Sequence, residues 1–167
     1  MKPEKHQFLQ TINSNRGTIV SLCKVYFRSE DDQKDAYQDI ILQLWKSFDS
    51  FRGDAQLKTW IYRVSLNTIL GKIRKEKKSV NTESIDISHL SIASAGADDH
   101  VELFSIIIQS LKEVDKAIVL LYLEGYQNKE IAEILEMTGT NVSTRLNRVK
   151  ADLKLKFNHK CHATGRL

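Results

Sequence analysis

Proline occurs once in these 167 residues, at Pro3, glycine seven times and cysteine twice. Few punctuating residues leave little room for hairpins, and the long amphipathic stretches between them predict an all-α fold. Cys23 and Cys161 stand in unrelated contexts and suggest no disulfide framework, so the reducing cytoplasm is the expected compartment. No apolar run approaches the length that spans a bilayer, and the N-terminus is polar through Gln7. Neither membrane insertion nor a signal peptide is expected. Catalytic patterns are missing as well: there is no Ser-His-Asp spacing, phosphate-binding glycine loop or HExxH. His159, Cys161 and His162 have no fourth ligand and no CxxC pair to complete a zinc site, which makes a frayed polar tail the expectation. Enzyme activity, a metal and a cofactor are therefore not expected.

What the chain does have is charge in blocks. The net charge of +4 is modest, but residues 30–39 are acidic (Glu30, Asp31, Asp32, Asp35, Asp39) and residues 72–78 basic (Lys72, Arg74, Lys75, Lys77, Lys78). Residues 79–102 carry Glu83, Asp86, Asp98, Asp99 and Glu102 with no Lys or Arg, and residues 139–160 turn basic again. Two basic segments on either side of an acidic tether suggest two nucleic-acid contacts on one chain. The tether is rich in Ser, Ala and Asp, and its Ile85, Ile87, Leu90 and Ile92 alternate without helical period. Some 20 extended residues reach about 70 Å at ~3.4 Å each, and about 25 Å on average as a flexible coil.

The segment Asn128–Lys150 reads as two short helices with a tight break at Glu136-Met137-Thr138. Ile131, Ala132, Ile134 and Leu135 give the first a buried face. Thr138 is the expected N-cap of the second, whose apolar residues recur at Val142, Leu146, Val149, Leu153 and Phe157. Its other face carries Thr140, Asn141, Ser143, Thr144, Arg145 and Arg148, side chains able to reach phosphates and base edges. An apolar helix followed by a polar, basic one is how a helix-turn-helix places its recognition helix in the major groove. An ordinary helical hairpin with a solvated polar face is the bland alternative.

The N-terminal part divides into three expected helices. Residues 6–28 should bury Phe8, Leu9, Ile12, Ile19, Val20, Cys23 and Phe27, with Gly17 weakening the middle. Residues 32–48 should bury Ala36, Tyr37, Ile40, Ile41, Leu44, Trp45 and Phe48. Ser50–Ala55 breaks the pattern as a loop, and a third helix spans about 57–77. That helix mixes Lys58, Thr59, Trp60, Tyr62, Arg63, Asn67, Lys72 and Arg74. Rings interleaved with cations suit single-stranded nucleic acid, where bases stack while phosphates are tracked. Trp60 and Tyr62 as plain core residues is the competing reading.

The block Asp35–Trp45 (DAYQDIILQLW), then Phe51-Arg52-Gly53-Asp54-Ala55 and Thr59–Arg63 with Asn67, resembles region 2 of bacterial sigma factors of the extracytoplasmic-function (ECF) type. The helix-turn-helix, preceded by Leu111 and by Leu120–Tyr126 (LLYLEGY), resembles their region 4. The resemblance covers roughly residues 6–78 and 103–157, in the right order and with no region 3 between. It implies two small helical domains, 1–78 and 103–167, joined by the acidic linker 79–102. It also implies a protein that binds core RNA polymerase, reads duplex −35 DNA and opens the −10 element, under the control of an anti-sigma factor.

Carried over residue by residue, Asp35, Gln38, Asp39 and Gln43 would meet the polymerase. Ser50, Phe51, Arg52, Lys58, Thr59, Trp60, Tyr62, Arg63, Asn67 and Arg74 would hold melted −10 DNA. Lys129, Thr140, Asn141, Ser143, Thr144, Arg145 and Arg148 would serve the −35 element. The chain departs from the family pattern at Gly71, where Asp is usual, and at Leu111-Lys112, which lacks the proline. Glu136 replaces the glycine of the turn, which must then manage without an easy positive φ. Gln127 stands where a capping Ser is common, a weaker cap. A helix-turn-helix regulator with an N-terminal sensory or dimerisation domain, and a helical interaction protein with no DNA role, remain the rival classes.

Overall fold

The computed structural model describes residues 5–51, 56–79 and 106–163, with side chains through Leu155. Arg52, Gly53, Asp54, Ala55, most of the acidic linker and the side chains of Phe157, His159, Cys161 and His162 lie outside the described residues. Every regular element among the described residues is helical. The chain divides into two compact units, Met1–Gly96 and Ala97–Leu167.

The first unit is a three-helix bundle of α1 (Lys5–Tyr26), α2 (Glu30–Phe48) and α3 (Leu57–Ser79), each packed on the other two. Helix α1 passes through Gly17 without a break, and a side chain there would meet nothing within 4 Å. Ser29 starts α2 by accepting the Asp32 N–H at 3.0 Å, while its hydroxyl donates to Asp32 Oδ2 at 2.7 Å. Three acidic residues, Glu30, Asp31 and Asp32, fill that first turn, where the helix dipole favours negative charge. The core is built by Phe8, Ile12, Ile19, Leu22 and Cys23 of α1, then Ala36, Ile40 and Leu44 of α2, then Ile61, Tyr62, Leu66 and Ile69 of α3.

Two residues expected in that core are outside it. Leu9 is 48 % exposed and Trp45 43 % exposed. The reason is angular: the α2 seam runs strictly through 36, 40 and 44, so Trp45, one residue on, is rotated about 100° away from the bundle axis. Leu9 is displaced from Phe8 and Ile12 in the same way. Trp45 is still held at one edge, its ring meeting Phe8 edge-on at 4.9 Å between centroids.

The second unit starts with the described part of α4 (106–110), followed by α5 (Glu113–Leu123), α6 (Asn128–Ile134) and α7 (Gly139–Ala163). Ile118 and Leu121, Ile131 and Ile134, and Val142, Leu146 and Val149 interlock as its core. Leu153 is half-buried, so the apolar stripe of α7 fades toward its end. The backbone expected to fray near His159 and Cys161 continues as helix to Ala163.

Helices α5 and α6 end alike. After α5, Gly125 takes φ +92°, and the Gly125 and Tyr126 N–H groups donate back to Tyr122 O and Leu121 O, each at 3.1 Å. After α6, Glu136 takes φ +55°, and the Met137 N–H reaches Ala132 O at 2.8 Å. Both are left-handed caps that satisfy orphan carbonyls, a position where glycine is usual. The turn does not avoid positive φ; it forces a glutamate into it, at a cost of about 1–2 kcal/mol.

Candidate nucleic-acid interface

Helix α6 is held at its start by Glu130, whose Oε2 accepts the Gln127 N–H at 2.7 Å. Glutamate thus supplies the capping expected to be weak at Gln127. Thr138 caps α7 as expected, its Oγ1 accepting the Asn141 N–H at 3.2 Å. Asn128 Nδ2 donates to Ser143 Oγ at 3.0 Å across the two helices, which fixes their angle. Ser143 is consequently half-buried against α6 and does not point outward with its neighbours. Lys129, Thr140, Asn141 and Thr144 are exposed around the start of α7.

The two arginines of that helix share one buried partner. Arg145 Nη1 donates to Asp115 Oδ1 at 2.8 Å and Arg148 Nη2 to Asp115 Oδ2 at 3.2 Å. Asp115, in the first turn of α5, is only 5 % exposed. A buried carboxylate needs both its charge and its lone pairs answered. Two guanidiniums do this and clamp α5 to α7. Arg145 also donates through Nε to Asn141 Oδ1 at 3.0 Å. Of the six residues expected to face DNA, Ser143 is turned toward α6 and Arg145 is partly taken up by the clamp, while Thr140, Asn141, Thr144 and Arg148 remain exposed, as does Lys129 on α6. Arg148, its side chain 55 % exposed, reaches from the clamp toward solvent. Asp115 escaped sequence reasoning, although an acid set in the apolar run Val114–Leu121 was a signal that a partner was required.

In the first unit, the rings form a continuous series. Phe8 meets Phe48 at 5.3 Å, Phe48 meets Trp60 at 6.2 Å, and Phe51 lies tilted over Trp60 at 5.0 Å. Trp60 and Phe51 are both half-buried, so the series ends at the rim of the 50–55 loop. Ser50 is exposed and its hydroxyl donates to Ser47 O at 2.7 Å. Tyr62 is buried, with the Lys58 ammonium 5.8 Å from its ring centre. A base cannot stack on that ring without opening the bundle, so the core reading holds for Tyr62. Thr59, Arg63 and Asn67 recur every four residues along α3, and Arg74 continues the row two turns later. Arg63 and Arg74 are exposed, Thr59 and Asn67 half-buried.

On α2, Asp35, Gln38, Asp39 and Gln43 form an exposed outer stripe. Asp39 shares it with a partner: Lys72 Nζ donates to Asp39 Oδ2 at 2.8 Å, linking α2 to α3. That hydrogen bond and the charge of Asp39 raise the Lys72 pKa against the opposing effect of burial. Leu42, 48 % exposed in the middle of the stripe, belongs to it and was not anticipated. Among the described residues there is no group of three His, Cys, Asp or Glu side chains that could hold a metal. No helix there is long and apolar enough to cross a membrane.

Residues 11–79 match the family described as sigma-70 region 2, and residues 107–153 match sigma-70, region 4. The chain belongs to the ECF-type sigma factors of RNA polymerase. Its relatives include the ECF sigma factor SigM of Mycobacterium tuberculosis H37Rv, 23 % identical over 150 residues that cover 90 % of this chain and 76 % of SigM. Another is SigV of Bacillus subtilis, 27 % identical over 147 residues that cover 86 % and 85 %. The fold is also that of RpoE from Bartonella quintana in complex with the anti-sigma factor NepR, with a TM-score of 0.69, 19 % identity, and 96 % and 99 % of the two chains covered. CnrH in complex with the cytosolic domain of CnrY aligns at a TM-score of 0.64 and 17 % identity, covering 94 % and 91 %. As a sigma factor, this protein directs promoter-specific transcription initiation and is not an enzyme.

Proposed function

We propose a division of labour between the two units of this sigma factor. The outer stripe of α2, with Asp35, Gln38, Asp39, Leu42 and Gln43, docks on core RNA polymerase, its acidic residues steering it to a basic surface. The row Thr59, Arg63, Asn67 and Arg74, with Lys58, follows the −10 strand, while Ser50 and Phe51, with Trp60 tilted against Phe51, receive an unstacked base. Arg52, by the family resemblance, contacts the same strand. Helix α7 enters the −35 major groove with Thr140, Asn141 and Thr144 leading, and Lys129 and Arg148 reach phosphates. Domain limits of 1–78 and 103–167, with an acidic linker over 79–102, complete the arrangement, in the cytoplasm. RpoE of Bartonella quintana is solved in complex with the anti-sigma factor NepR, which supports an anti-sigma factor as a further partner of this chain.

The observation that carries the reading is the aromatic series ending at Phe51 and Trp60, with Lys58, Arg63 and Arg74 exposed on the same helix as Trp60. Duplex readout uses groove edges and has no need of ring faces there. Transcription from a matched promoter by core polymerase should depend on this chain. Alanine at Arg52 or Asn67 should leave polymerase binding nearly intact and reduce the permanganate reactivity of −10 thymines. A pre-melted −10 bubble should restore part of the loss, since unstacking costs a few kcal/mol that is then already supplied. Unchanged permanganate patterns in both variants would favour an operator-binding regulator.

A further inference from the structure

The basic run at the end of α3 does not act as one surface. Lys72 and Arg74 are two residues apart, about 200° around the helix. Arg74 continues the exposed row of α3, while Lys72 is turned to α2. Its side chain, 24 % exposed, ends 2.8 Å from Asp39 Oδ2, in the middle of the acidic stripe. The hydrogen bond from Asp39, with the charges of Asp39, Glu76 and Asp35, keeps the ammonium protonated against burial. Coulomb interaction is mutual, so Lys72 offsets the negative charge that these acids present. The contact does not use up Asp39, which is half exposed and keeps Oδ1 and a further lone pair of Oδ2 as acceptors. What Lys72 changes is the charge that an approaching partner meets. Lys34 also sits among acids, but it is 68 % exposed, its contacts with Glu30 and Asp31 are 3.9 and 3.8 Å, and it is free to swing aside. Lys72, held between two helices, is not.

We propose that Lys72 tunes the affinity of this sigma factor for core RNA polymerase, as an internal counter-ion that weakens docking of the α2 stripe. The inference rests on that stripe meeting a basic polymerase surface. Complementary charge speeds the encounter of two such faces and holds them in register. A cation fixed inside the acidic face opposes both effects, because it repels the partner's cations and screens Asp39 and Asp35 from them. The same cation joins α2 to α3 and so contributes, modestly, to folding. Lys72 therefore acts with opposite sign on stability and on docking. A residue with a structural role alone would lower binding, or leave it unchanged, when removed. A residue that contacts the −10 strand would show itself in DNA binding instead.

The test is titration of core polymerase with the full chain at low and high salt, with melting temperatures measured alongside. The variants are Lys72→Met, Lys72→Gln, Lys72→Arg, Asp39→Asn and the Asp39→Asn, Lys72→Met pair. Lys72→Met should bind core roughly two- to fivefold more tightly at low salt, the scale of one partly exposed charge pair. The gain should come mainly from faster association and shrink as salt screens the surface, while the chain melts slightly lower. Lys72→Gln keeps a hydrogen-bond donor for Asp39 without the charge, so it should show the same gain with folding closer to wild type. Lys72→Arg keeps the cation and should bind as wild type does. Asp39→Asn should weaken binding, and Lys72→Met should add less in that background, where the nearest carboxylate is gone. Core affinity that is unchanged or lower in both neutral variants overturns the counter-ion role, as does a gain that salt does not reduce. If Asp39→Asn weakens binding and neither neutral variant strengthens it, the inference falls alone. If Asp39→Asn leaves core affinity untouched, the docking reading of the stripe falls with it.

Discussion

At the scale of single residues, two positions carry conformational or protonation costs that can be measured. Glu136 holds φ +55° at the end of α6, where a Cβ is penalised and glycine is not. Glu136→Gly should raise the melting temperature, with a gain of up to about 1 kcal/mol once the extra freedom of the unfolded chain is subtracted. Glu136→Val should lower it, because a β-branched side chain tolerates that region least. Cys23 is the second case. Burial pushes its thiol from 9.0 to about 11, against the lowering effect of a backbone hydrogen bond. The folded chain then keeps a proton that the unfolded chain releases, so stability is intact below pH 9.0 and falls as the pH climbs toward about 11. With Cys161 replaced by Ser, alkylation of the one remaining thiol at neutral pH should occur only through opening of the bundle. Its rate should rise in step with denaturant-induced unfolding, and rapid labelling of the native chain would contradict the burial.

At the scale of elements, a buried ion cluster and an exposed stripe respond differently to substitution. Asp115→Ala should destabilise the second unit by about 1–3 kcal/mol, since two guanidiniums lose their acceptor but can partly recover water. Calorimetry of the full chain would register this as a shift confined to one transition. The stripe of α2 behaves oppositely. Leu42 is about half exposed, so Leu42→Gln should change stability by no more than ~0.5 kcal/mol. If the stripe is the polymerase face, the same variant should weaken core binding in a competition assay. Trp45 is unsuited to that comparison, because its edge contact with Phe8 ties binding to folding.

At the scale of the whole molecule, two compact units on one chain predict separable activities. A fragment of residues 1–78 should compete with the full chain for core polymerase while failing to bind a duplex −35 element. A fragment of residues 103–167 should retain the duplex contact, with affinity that falls as salt is raised and counterions are no longer released to advantage. Failure of the first fragment to compete in a pull-down would contradict the assignment of polymerase binding to region 2.

Helical periodicity, the scarcity of glycine and proline and the Thr138 cap were enough to determine the all-α class and the order of the predicted helices, because these are local properties repeated along the chain; the family was legible only as a resemblance, carried by the motifs at Asp35–Trp45, Thr59–Arg63 and Asn128–Lys150. Long seams such as Ala36–Ile40–Leu44 and Val142–Leu146–Val149 are legible for the same reason. The sequence could not tell Trp45 from Leu44, since a 100° step around a helix changes which residue faces the axis only once the neighbouring helices are placed. Nor could it assign Arg145 and Arg148 to a partner: the acid that receives them lies some 30 residues earlier, in another helix, and its need for a cation does not say which one. Local pattern marks those arginines as cations on a polar face. Only the packing of α5 against α7 brings a buried carboxylate beneath them, and a carboxylate out of water binds the nearest cations first.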